Sequence, residues 1–195
     1  MLGEEMTGMF KGKQVSLLSF EPKDVTALHA YLNHPDLIGR RYIPWTFSEI
    51  LPLSLKQVEA ICQAWAESEN EFHLGITSGE GQELVGHVAC EWSWDVHCPA
   101  VSVVIAPAQQ RKGFGSEALQ LVLRYLFEHT PAHVAEGWVA GWNQPARAFL
   151  GKHGFQENGR MRRAGIRQGR YYDFVVADIL RPEWGRLRQE ESDAA

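Results

Sequence analysis

From Gln14 to Phe20 apolar and polar residues alternate closely enough to predict a first strand. After Pro22, the positions Val25, Leu28 and Leu32 fall at helical spacing. Asn33-His34-Pro35-Asp36 ends that helix, because the residue before a proline avoids the helical region. Residues 38–52 follow no period and carry Arg40, Arg41, Tyr42, Trp45 and Phe47, which suit either a substrate wall or the cover of a core edge. Ser54-Leu-Lys-Gln57 is a capping box, and Leu55, Val58, Ile61, Cys62 and Trp65 form the apolar stripe of a second helix. Strands are expected over Glu71 to Thr77 and Leu84 to Trp94, with a hairpin turn at Ser78-Gly-Glu-Gly81 between them. Val101 to Ile105 is β-branched at four of five positions and predicts a buried strand that Pro107 ends. From Ser116 to His129 only Glu117, Gln120, Arg124 and Glu128 form a clear polar stripe, at steps of three and four. That is a narrow polar stripe on an otherwise buried helix.

Val134 to Trp142 predicts another strand, and Gly137 and Gly141 on its small side point to a bulge or a close backbone approach. Asn143 is a good N-cap, Pro145 fits a first turn, and Gly154 is a good C-cap for a helix from Gln144 to His153. The chain is strand-like from Phe155, turns at Gln168-Gly169, and forms a final strand from Tyr171 to Leu180 that Pro182 stops. This order predicts an α/β (α+β) single domain, with a central mixed, mostly antiparallel sheet flanked by helices. The domain is expected over 14–184, with a flexible leader over 1–13 and a disordered tail over 185–195.

Composition narrows the class only a little. The 195 residues suffice for one core, and 45% hydrophobic with 22% charged content is ordinary for a soluble domain. A formal net charge of -5 argues against nucleic-acid binding by the whole surface. No apolar run approaches the roughly 20 residues a membrane-spanning helix needs. The three cysteines, Cys62, Cys90 and Cys98, form no Cys-x-x-Cys pair, which suits reduced thiols in a cytoplasmic protein. The eight histidines form no ligand-spaced cluster, so no metal site is expected.

The loop between the Val101 strand and the Ser116 helix holds two glycines and two cations: Gln110, Arg111, Lys112, Gly113, Phe114 and Gly115. A helix start carries unpaired N–H groups and partial positive charge, so such a loop can cradle a phosphate or pyrophosphate. A plain glycine-eased turn with solvated Arg111 and Lys112 is the simplest alternative. A dinucleotide fingerprint is another, since Gly113-Phe-Gly115-Ser-Glu-Ala118 fits its spacing and Glu136 lies where a ribose-binding acid belongs. Seven residues separate Ile105 from Gly113, however, whereas the dinucleotide turn sets its first glycine close to the strand end.

Gln110-Arg111-Lys112-Gly113-Phe114-Gly115 fits Gln/Arg-x-x-Gly-x-Gly/Ala and resembles the acetyl-coenzyme-A motif of the GNAT superfamily of N-acetyltransferases. Asn143-Gln-Pro-Ala146 with Lys152-His-Gly154-Phe155, and Gly169-Arg-Tyr171-Tyr-Asp173, are similar to later segments of that family. The branch resembled includes ribosomal-protein N-terminal alanine acetyltransferases and spermidine acetyltransferases. The resemblance implies a GNAT-like sheet and direct transfer of acetyl from acetyl-coenzyme A to a primary amine. A protein N-terminus is the first acceptor to consider and a polyamine-like small amine the second. A coenzyme-A-binding regulator without turnover is the non-enzymatic reading.

It also implies that Arg111 to Ser116 hold the pyrophosphate through main-chain N–H groups, with Gly113 and Gly115 allowing close approach. Val103, Val104 and Ile105 would pair with the pantetheine arm, a backbone N–H near Val104 would receive developing negative charge, and Asn143 would complete the coenzyme site. No metal is implied, and a monomer or homodimer is expected.

Two positions depart from the family pattern. Ala100 stands where many relatives carry a glutamate, and Leu150 where many carry a tyrosine seven residues after the asparagine. Glu91 on the preceding strand is the expected base, with Asp95, Asp173, Tyr171 and Tyr172 as further proton-transfer candidates. Cys90 and Cys98 are expected to be buried thiols rather than nucleophiles. Arg160, Arg162, Arg163, Arg167 and Arg170 fall within eleven residues that contain no acid, which suits a solvated hairpin face or an anionic partner.

Overall fold

The computed structural model describes residues 10–37, 52–79, 83–92 and 95–193. Seven strands form one sheet: β1 (Val15–Leu18), β2 (Glu71–Ser78), β3 (Glu83–Glu91), β4 (Ala100–Ile105), β5 (Val134–Ala140), β6 (Gln156–Arg167) and β7 (Arg170–Leu180). Among the described residues there are five α-helices: α1 (Val25–Leu32), α2 (Leu55–Glu67), α3 (Phe114–His129), α4 (Gln144–Lys152) and α5 (Arg181–Asp193). The strand order is β1-β2-β3-β4-β5-β7-β6, antiparallel throughout except where β4 meets β5.

Alternation along the strands divides the core in two. Val88, Cys90, Val101, Ala135, Ala177 and Ile179 point to the face covered by α3, with Phe149, Leu150 and Trp184 from the later helices beside it. Val104 and Leu84 point to the other face, where Leu28 and Leu32 of α1 and Val58 and Trp65 of α2 pack on them. Ala118, Leu119, Val122, Leu123 and Leu126 of α3 are buried, as the narrow polar stripe requires. Leu123→Ala is expected to cost about 2–5 kcal/mol of stability. Urea unfolding with an unchanged denaturant slope measures it; a loss well under 1 kcal/mol would mean the α3 face is loosely packed.

Local chemistry explains most element ends. Ser54 Oγ accepts Gln57 N–H at 3.3 Å while Gln57 Oε1 accepts Ser54 N–H at 2.8 Å, the reciprocal cap expected of α2. Asn143 Oδ1 caps α4 by accepting Ala146 N–H at 3.3 Å, and Gly154 follows that helix at φ 85. Gln168 and Gly169 turn the β6–β7 hairpin at φ 51 and 73. At Gly141 a side chain would meet Asp173 O at 3.0 Å, which is the close backbone approach that its sequence position suggests.

The largest departure from expectation is the C-terminus. Arg181–Asp193 is a helix, whereas the sequence suggests a strand stop at Pro182 and a disordered tail over 185–195. Pro182 lies in its first turn, where a missing N–H costs nothing, so the residue that reads as a stop is a start. Trp184 anchors the helix against Phe127 at 5.4 Å, and Arg181 Nη2 donates to Thr130 O at 2.8 Å. At the other end, Phe10 to Lys13 are not loose: Leu17 N–H donates to Phe10 O at 2.9 Å and the Phe10 ring lies 5.2 Å from Tyr125. Of the aromatic and cationic loop, Arg40, Arg41, Tyr42, Trp45 and Phe47 lie outside the described residues, as do residues 80 and 81 of the expected turn.

Candidate active site

β4 and β5 run parallel and pair at Ala100 with Glu136, the only register pair between them among the described residues. Beyond it the strands part, leaving a gap that opens toward their C-terminal ends. Ala106 N–H donates to Val85 O at 2.9 Å, so the even-numbered residues of β4 are those bonded to β3. The odd-numbered ones face β5: Pro99 O accepts Glu136 N–H at 3.0 Å, and Gln110 Nε2 donates to Ile105 O at 3.1 Å. Val103, between them, therefore turns its main-chain N–H and C=O into the gap. Val104 turns its own toward β3, so the donor expected near Val104 belongs to its neighbours Val103 and Ile105.

The glycine loop sits at the mouth of this gap. Arg111 at φ 66 and Gly113 at φ 93 both lie in the left-handed region, after an extended Gln110. Gly113 is the N-cap of α3 and offers no side chain, so the first-turn amides of Phe114, Gly115 and Ser116 are left without a side-chain cap. A side chain at Gly113 would meet only Gln14 Nε2, at 3.5 Å, whereas one at Gly115 would press on Ile105 Cγ1 at 3.2 Å. Lys112 Nζ donates to Gln109 Oε1 at 2.5 Å, on the rim. Ser116 Oγ is held 3.0 Å from His153 Nε2. Glu117, the acid of this first turn, is occupied elsewhere, accepting the N–H groups of Lys13 and Gln14. Asn143 lies beyond the end of β5, its side-chain oxygen taken by the cap of α4.

On the face opposite α3, register places acids side by side. Glu71 pairs with Glu91, Glu91 with Ala100, Ala100 with Glu136, and Glu136 with Asp178. Paired residues share a face, so four carboxylates stand in one row with Ala100 in the middle. Burial, and then Glu71, push the Glu91 carboxyl above its ordinary range, while burial raises Asp178 against the opposing bond from Asn158 Nδ2. The Glu91 carboxylate groups with Glu71 and His73, on the β2 side. Glu136 is the one at the closed end of the gap. Its Oε1 accepts Trp138 Nε1–H at 3.1 Å, and its Oε2 meets the Cys98 thiol at 3.9 Å.

The remaining candidates have other work. Asp95 accepts the N–H of His97 at 2.7 Å and lies 2.9 Å from its ring; these bonds hold its carboxyl below the usual range. Asp173 Oδ1 accepts Arg163 N–H at 2.9 Å. Tyr172 packs edge-on against Trp142 and Phe174, and Tyr171 lies under Arg163. Burial and then Glu136 push the Cys98 thiol up to about 11, and burial raises Cys90 well above the ordinary thiol, so neither is a thiolate near neutrality. Leu150 packs over Gly137 on the α3 face, where a side chain added to that glycine would meet it at 3.3 Å. Arg160 pairs with Glu157 and Arg167 stacks 3.8 Å above Trp142, while Arg162 and Arg170 are exposed.

A sheet split between two parallel strands, with a glycine-eased helix start at the mouth of the split, defines a coenzyme-A-dependent acyltransferase of the GNAT type. The chain belongs to that family: the family model of the acetyltransferase (GNAT) domain matches residues 14–156. The uncharacterized N-acetyltransferase YnaD of Bacillus subtilis is 24% identical over 173 residues, covering 88% of this chain and 96% of its own. The N-acetyltransferase 9-like protein of Nematostella vectensis is 24% identical over 156 residues, 74% of this chain and 75% of its own. In fold, the spermidine N-acetyltransferase from Vibrio cholerae in complex with CoA and spermine superposes with a TM-score of 0.75 at 22% identity, covering 89% of this chain and 99% of that one. The protein is an acetyl-CoA-dependent N-acetyltransferase. No helix among the described residues is long and apolar enough to cross a membrane.

Proposed function

We propose that the acceptor is a small polycationic amine and that the row of carboxylates across β2, β3, β5 and β7 draws it to the gap. That row is the observation carrying the reading: four acids at one level of one face give a strong local field in a half-buried place. Acetyl-CoA lies with its pyrophosphate on the amides of Arg111 to Ser116, Gly113 and Gly115 allowing the approach, and with its pantetheine arm against Val103 and Ile105. The amine nitrogen attacks the thioester carbon from the Ala100 face. Negative charge growing on the carbonyl oxygen meets the N–H of Val103 or Ile105. The ammonium first gives one proton to solvent; as the amide bond forms, Glu136 takes the second proton from the nitrogen, the thioester C–S bond breaks and the coenzyme leaves as its thiolate. The absence of a glutamate at position 100 is answered from the next strand.

Thiol release with acetyl-CoA and a panel of amines tests the substrate. Spermidine is expected to be acetylated with a lower KM than a monoamine of similar length, and rising salt is expected to erase part of that difference. Turnover confined to peptide N-termini would overturn the polyamine reading.

The exposed Arg162 and Arg170 favour one second reading, a protein N-terminus followed by acidic residues. On that reading Arg162→Glu with Arg170→Glu raises KM for an acidic peptide in a salt-dependent way and leaves spermidine turnover unchanged. An equal KM for both proteins at low salt removes it.

A further inference from the structure

Glu71, His73 and Glu91 form a cluster set apart from the bond-making steps; Glu71 and Glu91 are two of the four acids proposed above to draw the amine, and Glu136 and Asp178 keep that role when this pair is otherwise engaged. Glu71 faces Glu91 across β2 and β3, and His73 follows two residues along the same strand, so the three side chains share a face. One ligand-capable atom from each lies within 4.8 Å of the others. The His73 side chain is only 7% exposed, yet neither of its ring nitrogens has a hydrogen-bond partner. Nε2 is 3.0 Å from Glu71 Oε2, but off the line that a hydrogen bond requires. Trp65 lies flat on the imidazole, centroids 4.2 Å apart and planes 6° from parallel, which fixes the plane of the ring.

As it stands this arrangement is costly twice over. A buried imidazole keeps an idle lone pair, and two half-buried carboxylates face each other with no Lys or Arg paired to either among the described residues. One divalent ion resolves both problems, since it accepts the nitrogen lone pair and neutralises the two acids. We propose that Glu71, His73 and Glu91 bind a divalent transition-metal ion, through one imidazole nitrogen and two carboxylates. One nitrogen with two oxygens suits borderline ions such as Zn²⁺ or Co²⁺ better than Mg²⁺ or Ca²⁺, which prefer an all-oxygen shell. Around such an ion, ligand atoms about 2.0–2.2 Å from the metal stand roughly 3.3 Å from one another. The Glu71–His73 pair stands at 3.0 Å, close to that spacing, and Glu91 offers its carboxylate within 4.8 Å of both. The bound ion would clamp β2 to β3 beneath α2, without needing either the coenzyme or Glu136.

The test is titration of the chelator-treated protein with Co²⁺, followed by visible absorption, tryptophan fluorescence and calorimetry. One equivalent is expected to bind, with weak d–d bands and no intense thiolate band, and to quench a fluorescence component that Trp65→Phe lacks. His73→Ala and Glu91→Gln are each expected to weaken binding by about 10- to 100-fold. His97→Ala, which removes an exposed imidazole beside Asp95, is expected to leave it unchanged. Retained acetyl-CoA affinity in His73→Ala shows that the variant is folded; Glu91→Gln, nearly isosteric, serves if it is not. The proposal is overturned by the absence of a stoichiometric site in the wild type, by unchanged affinity in both variants, or by a thiolate band. Quenching of Trp65 by spermidine but not by Co²⁺ would also overturn it, assigning the cluster to an ammonium group instead.

Discussion

Glu136→Gln is expected to lower kcat for amine acetylation by about 10²- to 10⁴-fold, the usual contribution of a positioned proton acceptor. Acetyl-CoA affinity should be unchanged, because Glu136 lies at the closed end of the gap while the glycine loop proposed to hold the pyrophosphate lies at its mouth. Position and hydrogen bonding both support the assignment. Ala100 and Glu136 are the last paired residues before β4 and β5 part, so on the proposed path of the coenzyme this carboxylate is the acid nearest the thioester. Trp138 fixes one of its oxygens with a 3.1 Å hydrogen bond, and a weak thiol donor at 3.9 Å leaves the other available for a proton. Glu91, the base expected from the sequence, is drawn to the opposite side, among Glu71 and His73. Glu91→Gln should therefore lose less turnover than Glu136→Gln. Steady-state kinetics of both variants decide the matter, and the reverse order would return the role to Glu91.

Gly113→Val is expected to raise the Kd for acetyl-CoA by roughly tenfold to a hundredfold, corresponding to about 1–3 kcal/mol of local strain. At φ 93 the backbone of residue 113 occupies a region that a β-branched residue avoids. Space does not explain the effect, because the nearest atom to the new side chain is Gln14 Nε2 at 3.5 Å. The loss arises when the loop relaxes and the amides from Arg111 to Ser116 no longer converge. Thermal stability should fall little, since Gly113 is exposed at a helix start and supports no core residue. Calorimetry reads the affinity; a wild-type Kd would mean that the pyrophosphate lies elsewhere.

Patterning makes much of this fold legible. The β-branched run at Val101 to Ile105, the polar stripe of α3, the capping box at Ser54 and the glycine after α4 each signal a local preference that tertiary packing reinforces. The helix α5 is hidden because Pro182 reads equally well as the end of a strand or as the first turn of a helix. Only the pocket that receives Trp184 distinguishes them.

The site divides the same way. The cradle is a contiguous motif, so Gly113, Gly115 and their neighbours can be read directly. The acids are not contiguous. Glu71, Glu91, Glu136 and Asp178 become neighbours only through strand register, a long-range property that one sequence does not display. In the sequence Glu136 stands out only as a possible ribose ligand, while its neighbour across the sheet, Ala100, marks the gap that it fills. The histidines look scattered for the same reason, since the partners of His73 include a residue from the next strand.

The position of the coenzyme sulfur in a crystal structure with CoA bound tests the central claim most directly. The sulfur is expected between β4 and β5, on the Ala100 face and closer to Glu136 than to Glu91, with the pantetheine amides paired to Val103 and Ile105. A sulfur turned toward the α3 face, or a coenzyme lying outside the gap, would contradict it.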